Sequence, residues 1–354
     1  MRNERYNRQL ILKGFGEAAQ HRLSKARVLV IGAGGLGCPA LQYLAAAGTG
    51  KLGIADDDTV SLSNLHRQIL FTTADLGKLK AEVAAERLRQ MNPETDITAH
   101  VLRIGKHHAT ELFQNYDLVL DGTDNFETRY LINDTCAVLK KPLIFAAVSG
   151  FEGQLAVFNV DDQNGLRCNY RDLFPVPPKA DEVPNCEDHG VIGVLPGVMG
   201  VMAATEVIKL LCGIGKPLIN RLLHLNALTW QQHIIGISPG QGYTLSGRDF
   251  YELSSGHTEI DALQMQALQQ GGSTLCIDVR ERHEQPKLDK GRFLQVPMSE
   301  FSSFLEKEIA EEHIIVVCQH GIRSVAAAEA LEEKYGSSKQ IYSLKGGIVK
   351  WKEE

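Results

Sequence analysis

Along the first third of the chain, short aliphatic runs alternate with stretches in which apolar residues recur every three or four positions. The runs "ARVLVIGAG", "KLGIADDD", "DITAHVL" and "YDLVLDGTD" have the length and composition of strands. "GCPALQYLAAAG" and "KLKAEVAAERLRQMN" have the spacing of helices with one apolar face. Strands and helices taking turns in this way predict a parallel sheet with helices on both faces, because a parallel pair needs a crossover long enough to hold a helix. A further strand, "KPLIFAAVS", and an antiparallel partner near "GQLAVFNV" follow. Residues 165 to 190, "GLRCNYRDLFPVPPKADEVPNCEDHG", are too polar and too long for an ordinary connection, and such loops are usually functional or mobile. The next segment, "GVIGVLPGVMGVMAATEVIKLLCGIG", approaches the length of a membrane span. Pro196, Glu206 and Lys209 interrupt it, so it is expected to be a buried helix with a close-packed glycine entrance.

After "SPGQGYTLSGRD" (238 to 249), whose Gly, Pro and Ser mark a linker, an α/β pattern starts again with "STLCIDVRERHE", "HIIVVCQHG", "SVAAAEALEEKYG" and "QIYSLKGGIVKW". The expected organisation is one domain over 1–240, a linker over 241–249 and a smaller domain over 250–354. Composition agrees: 354 residues, 44% of them hydrophobic and 23% charged, are enough for two cores. The net charge of −6 is small and the cations are dispersed, which argues against nucleic acid or a membrane surface as partner. "MRNERYNRQLILKGFG" has charges around a very short apolar stretch and does not resemble a secretory signal, so a cytoplasmic protein is expected. The seven cysteines are odd in number, scattered, and form no C-x-x-C pair, which points to free thiols and no structural zinc.

Candidate chemistry begins at "VLVIGAGGLG", where Gly32, Gly34 and Gly37 fit G-x-G-x-x-G between a strand and a helix. Glycines there let the backbone turn tightly and bring helix N–H groups onto a phosphate. Asp56 follows the next strand at the distance where a ribose hydroxyl finds its carboxylate. These features alone would suit a dinucleotide. Arg67 and Lys80, with Asn64, are cations and polar groups a dinucleotide enzyme does not need and a triphosphate does. Asp124, delivered by "YDLVLDGTDN" to the sheet edge, suits Mg²⁺ beside that triphosphate or the N-cap of the helix that follows.

The combination of "RYNRQ", "GAGGLG", "DDDTVSLSNLHRQ", "GTDN" and "GVLPGVMG" resembles the ThiF and MoeB type adenylyltransferases related to ubiquitin-activating enzymes, over residues 1 to about 237. The resemblance implies a Rossmann-like ATP-binding domain with a mostly parallel sheet, working as a homodimer. It implies ATP and Mg²⁺ as the activating pair and, as substrate, the C-terminal glycine of a ubiquitin-like sulfur carrier ending in Gly-Gly, serving molybdopterin or thiamine synthesis. On the matching positions, Gly35, Asp56, Ser63, Asn64, Arg67, Lys80, Asp124 and Asn125 contact ATP or its metal, Arg8 reaches the partner subunit's site, and Cys186 attacks or resolves the acyl adenylate. The chain departs from the pattern at Asn226, where relatives often carry aspartate, and in lacking two C-x-x-C pairs.

The second domain, with "IDVRERHE", "VVCQHGIRS" and "LKGGIVKW", resembles single-domain rhodaneses over 250 to 354. A strand, a six-residue loop from Cys318 to Arg323 and a helix from Ser324 are expected. Loop N–H groups, the helix start and Arg323 would form an anion cradle that favours a reactive thiolate and holds a persulfide. Asp278 and Glu281 are expected to brace the loop, His320 to be a loop histidine, and a protein such as a cysteine desulfurase to donate the sulfur. Two rivals stand beside this reading: an NAD-dependent oxidoreductase, and a non-catalytic sulfur-relay scaffold.

Overall fold

In β1 (Arg27–Ile31), Val28 and Val30 enter one apolar cluster while Leu29 and Ile31 enter another on the opposite face. A strand buried on both sides has to sit in the middle of a sheet covered twice. The computed structural model describes residues 2–177, 190–240, 258–319 and 321–353, and the chain divides into two units, Met1–Phe250 and Tyr251–Glu354. The expected 241–249 linker lies outside the described residues.

In the first unit, β2 (Lys51–Ala55), β3 (Asp96–His100), β4 (Leu118–Asp121) and β5 (Leu143–Ser149) join β1 in a parallel array. β6 (Glu152–Phe158), β7 (Arg221–Asn226) and β8 (Gln232–Gly236) extend it by antiparallel pairing, in the order β3-β2-β1-β4-β5-β6-β7-β8. α1 (Arg2–Leu10) and α2 (Gly16–Leu23) precede the sheet. One face is covered by α3 (Gly37–Ala47) and α4 (Lys80–Met91), the other by α5 (Lys106–Gln114) and α6 (Phe126–Val138). α5 is not among the expected elements; it is short, and its apolar residues Ala109, Leu112 and Phe113 make a single contact stripe. After the short α7 (Tyr170–Leu173), α8 (Val194–Cys212) packs with α3 and α2. By length and composition α8 could cross a membrane, yet its Glu206 is buried and accepts a hydrogen bond from the Leu218 amide at 2.8 Å, which marks a core helix. Its glycine entrance is close-packed in part: a Cβ on Gly193 would stand 2.6 Å from the His66 carbonyl and one on Gly200 2.3 Å from the Leu36 carbonyl, while nothing lies within 4 Å of one on Gly190 or Gly197.

The second unit is a five-stranded parallel sheet in the order β11-β10-β12-β13-β9, with β9 (Thr258–Ile260), β10 (Thr274–Asp278), β11 (Leu294–Gln295), β12 (His313–Val317) and β13 (Gln340–Leu344). β12 repeats the two-faced pattern, with Ile314 and Val316 in one cluster and Ile315 and Val317 in the other.

The third glycine of the motif is required by packing. A Cβ on Gly37 would lie 1.9 Å from the Gly32 carbonyl oxygen, so α3 can leave β1 at this angle only with glycine there. Gly37→Ala is expected to destabilise the first unit by about 2–3 kcal/mol. An unchanged calorimetric transition would show that the turn can relax.

Candidate functional sites

From β1 the chain crosses to β2 on one side, and from β4 it crosses to β5 on the other. A crevice opens at the carboxyl ends of two neighbouring strands whose connections diverge, and open α/β sheets bind ligands there. Gly32, at φ +89°, makes the turn after β1, and a Cβ on it would stand 2.9 Å from the Gly122 carbonyl after β4. The cleft above has a volume of about 280 Å³ and is lined by Gly32, Gly34, Asp56, Asp58, Lys80, Asp124 and Asn125. A larger cavity, about 470 Å³, shares Gly34, Gln68, Thr123 and Asp124 with it and adds Gly35, Ser63, Asn64, Arg67 and Arg129.

Asp56, Asp58, Lys80 and Arg67 are each held by specific neighbours. Asp56 accepts the Ala33 amide at 2.7 Å and the Asp58 amide at 2.9 Å, which ties the glycine turn to the end of β2. Burial pushes its carboxyl pKa upward, and each oxygen keeps a second lone pair for a ribose hydroxyl. Lys80 is 5% exposed and donates to Asp58 at 2.8 Å, so Asp58 aims the ammonium at the cleft. Arg67 donates to the Ser63 carbonyl at 3.3 Å and bonds the His66 ring at 2.7 Å. Behind the cleft, buried Asp121 accepts the Thr123 amide (2.9 Å) and hydroxyl (2.6 Å). Arg129 donates to the Thr123 carbonyl at 2.9 Å, lies 3.5 Å from Asp121 and stacks over Phe145. This clamp fixes the turn that presents Asp124.

The structure separates two roles that the sequence left together. Asn125, not Asp124, is the N-cap of α6, accepting the Thr128 amide at 2.9 Å. Asp124 therefore faces both cavities, while part of the hydrogen-bonding capacity of Asn125 is used by the cap. A carboxylate such as Asp124 beside a phosphate cradle fits Mg²⁺, which takes one or two carboxylates and fills its octahedron with phosphate oxygens and water. Among the described residues no group of three metal-ligating side chains comes together. Gln68 and Arg129 were not singled out by sequence, although Gln68 stands in the quoted "SNLHRQ" and Arg129 follows "GTDN" by four positions. Gln68 is 4% exposed, and its carboxamide oxygen is buried without a partner where the two cavities meet, an acceptor ready for a donor on a bound substrate. Arg8 lies exposed on α1 and lines neither cavity. Cys186 lies outside the described residues. Asn226 accepts the Leu228 and Thr229 amides at 3.0 and 3.1 Å, so it caps the turn between β7 and β8.

In the second unit, Cys318 follows β12 and is 1% exposed. Its sulfur accepts the Gly321 amide at 3.1 Å and faces Ser324 Oγ at 3.4 Å, and Ser343 donates to that hydroxyl at 2.9 Å. The loop is shorter than the six residues expected. The helix starts at Ile322 because Gly321, at φ +90°, completes the turn, so Arg323 and Ser324 belong to the first helical turn. Gly347 supports the loop from below; a Cβ there would meet the Gln319 and Cys318 carbonyls at 2.5 and 2.6 Å. Arg323 is not the open cation expected beside the thiol. Its two terminal nitrogens bind Glu284 at 2.6 and 2.8 Å, and that pairing holds the Glu284 carboxyl down to about 2. Asp278 does brace the loop, through Arg280, which reaches Gln319 at 3.2 Å. Glu281 instead accepts from Ser299, and His320 lies outside the described residues.

Residues 6–241 match the ThiF family and residues 261–354 the rhodanese-like domain. The chain belongs to the ThiF family and is an adenylyltransferase with a sulfurtransferase domain. It is 40% identical to a probable adenylyltransferase/sulfurtransferase MoeZ of Mycobacterium tuberculosis, across 98% of this chain and 92% of that one. Over 226 residues, 64% of this chain and 83% of the relative, it is 50% identical to a sulfur carrier protein adenylyltransferase of Thermus thermophilus. It is 37% identical to adenylyltransferase and sulfurtransferase MOCS3 of Arabidopsis thaliana, covering 98% and 82% of the two chains. Among solved structures, E. coli MccB with MccA-N7isoASN superposes with a TM-score of 0.60 at 22% identity, over 70% of this chain and 75% of that one, a likeness of fold. The oxidoreductase and scaffold alternatives give way to this family assignment.

Gly34 and Glu284 yield direct tests. A Cβ on Gly34 meets nothing closer than Gln68 Nε2 at 3.7 Å. Gly34→Ala should keep its melting temperature and weaken ATP binding about tenfold or more by calorimetric titration, since its methyl enters the phosphate approach; unchanged affinity would place the phosphates elsewhere. Glu284 has an ordinary value of 4.5 and a folded value of about 2. A depressed carboxyl contributes its stabilisation in full above pH 4.5 and loses it as pH falls through about 2. The second unit's melting temperature should therefore fall across that window, and less steeply in Glu284→Gln; equal slopes would contradict the pairing.

Proposed function

We propose that the chain adenylates the C-terminal glycine of a ubiquitin-like sulfur carrier and then delivers sulfur from a persulfide on Cys318. It would act as a cytoplasmic homodimer whose Arg8 completes the partner subunit's site. The observation that carries the reading is a glycine-turned phosphate cradle in which Arg67, Lys80 and Asp124 converge, on the same chain as a thiol loop. A carboxylate is a poor nucleophile toward an anionic α-phosphate, so catalysis consists of shielding charge and holding both ends in line. Arg67 and Lys80 supply fixed cations, the phosphate competing with Asp58 for Lys80. Helix α3 adds N–H groups at the glycine turn, and Asp56 orients the ribose. Magnesium held by Asp124 and the phosphates would add further neutralisation. The carrier tail would enter through the larger cavity. Attack on the α-phosphorus releases pyrophosphate; attack by the Cys318 persulfide on the acyl adenylate releases AMP and leaves an acyl disulfide. Attack of the Cys186 thiolate on the Cys318 sulfur would break the S–S bond, free the thiocarboxylate and leave a Cys186–Cys318 disulfide, which an external thiol would reduce for the next turnover. The resemblance directs the product to molybdopterin or thiamine synthesis.

ATP–pyrophosphate exchange tests this. Exchange is expected with a carrier ending in Gly-Gly and not with one lacking the last glycine. Arg67→Ala and Asp124→Ala should each reduce it by about 10²–10³-fold, whereas Cys318→Ala should retain exchange and lose thiocarboxylate. Exchange absent with every carrier, or thermal stabilisation by NAD and not by Mg-ATP, would overturn the reading.

A further inference from the structure

Where the two cavities of the first unit meet, one buried polar side chain has an unanswered acceptor. Gln68 is 4% exposed, and among the described residues nothing donates to its Oε1. Its backbone is fixed: the amide donates to the Asn64 carbonyl at 3.0 Å, and the carbonyl accepts the Phe71 amide at 3.1 Å. The side chain stands against the glycine turn, with Nε2 3.7 Å from where a Cβ on Gly34 would lie. A buried acceptor without a donor is unfavourable, so a ligand that brings the donor gains affinity. The last torsion of a glutamine is broad and two-fold, and with its oxygen unpartnered the carboxamide turns at little cost to the end a ligand requires.

The linings of the two cavities identify that donor. Asp56 and the apolar Leu102 and Ile104 line the smaller cleft and not the larger cavity, which suits a ribose and a base there. Arg67, Val148 and Pro196 line the larger cavity and not the smaller cleft, on the route proposed above for the carrier tail. Gly34, Gln68, Thr123 and Asp124 belong to both, so Gln68 stands where the α-phosphate and the end of the tail come together. Phosphate oxygens and an ionised terminal carboxylate only accept hydrogen bonds. The ribose hydroxyls and the base amine stay in the smaller cleft in this reading. The donor that reaches Gln68 is then the N–H of the tail's last peptide bond, one Cα away from the reacting carboxylate.

We infer that Gln68 is a specificity-determining residue for the carrier tail: its Oε1 accepts the N–H of the last peptide bond and sets how far the tail enters, so that the terminal carboxylate stops in line with the α-phosphorus. This deepens the proposed adenylation and rests on it. The test gives the full chain a Gly-Gly carrier that supports ATP–pyrophosphate exchange, and the same carrier semisynthesised with an ester in place of its last peptide bond. The ester removes the N–H and keeps the shape and the carboxylate. The wild type's kcat/KM for the carrier should fall about fivefold to tenfold on the ester, and Gln68→Met should lose about as much on the peptide carrier. The two changes combined should cost no more than either alone, which a merely structural Gln68 would not produce. KM for ATP and the melting temperature should stay as in the wild type. Gln68→Glu, which keeps an acceptor of the same shape, should keep the wild-type ratio between peptide and ester carriers. A wild type that uses both carriers equally overturns the inference without any variant, as does a folded Gln68→Met that still shows the full ester penalty. Exchange absent with every Gly-Gly carrier would instead overturn the adenylation reading beneath it.

Discussion

The first unit depends on the contact between the turns that follow β1 and β4. The Gly122 carbonyl approaches so closely that no room is left for a side chain on Gly32, and Gly37 lets α3 begin directly against the Gly32 carbonyl. Any residue larger than glycine at the packing positions would push the helix off the sheet and close the crevice from below. Because the turns touch, the N–H groups at the start of α3 and the Asp124 turn face one volume.

The clamp under Asp124 shows what that arrangement costs. Asp121 and Arg129 are a buried ion pair, and burying two charges is unfavourable unless their hydrogen bonds are largely made. Three contacts to Thr123 and the ring of Phe145 offset much of that cost. The pair's use is positional, since it fixes the backbone that carries Asp124.

Both units solve a similar problem with similar parts: a buried strand ends, a glycine turns the chain, and a helix begins against the ligand. They differ in charge. In the nucleotide cleft Lys80 and Arg67 have single or neutral partners that a phosphate can displace, while in the thiol loop Arg280 and Arg323 are held in forked pairs.

Much of this was legible in the residues themselves. The two-faced aliphatic runs determined the parallel strands, because a strand buried on both sides has no polar face to alternate. The glycine spacing determined the turn, because only glycine tolerates φ near +90° with carbonyls so close. "SNLHRQ" and "GTDN" marked the cleft. The short helix α5 was missed because one stripe of three apolar residues is a weak period. Only the tertiary structure decided that Asn125 takes the helix cap and leaves Asp124 to the cleft, that Asp58 aims Lys80, that Gln68 turns an unpaired oxygen inward, and that Arg323 is bound to Glu284. Each of those outcomes is a competition for hydrogen-bond partners. Asp58 and Lys80 stand 22 positions apart and Glu284 and Arg323 39, and a one-dimensional pattern carries no distance between such residues.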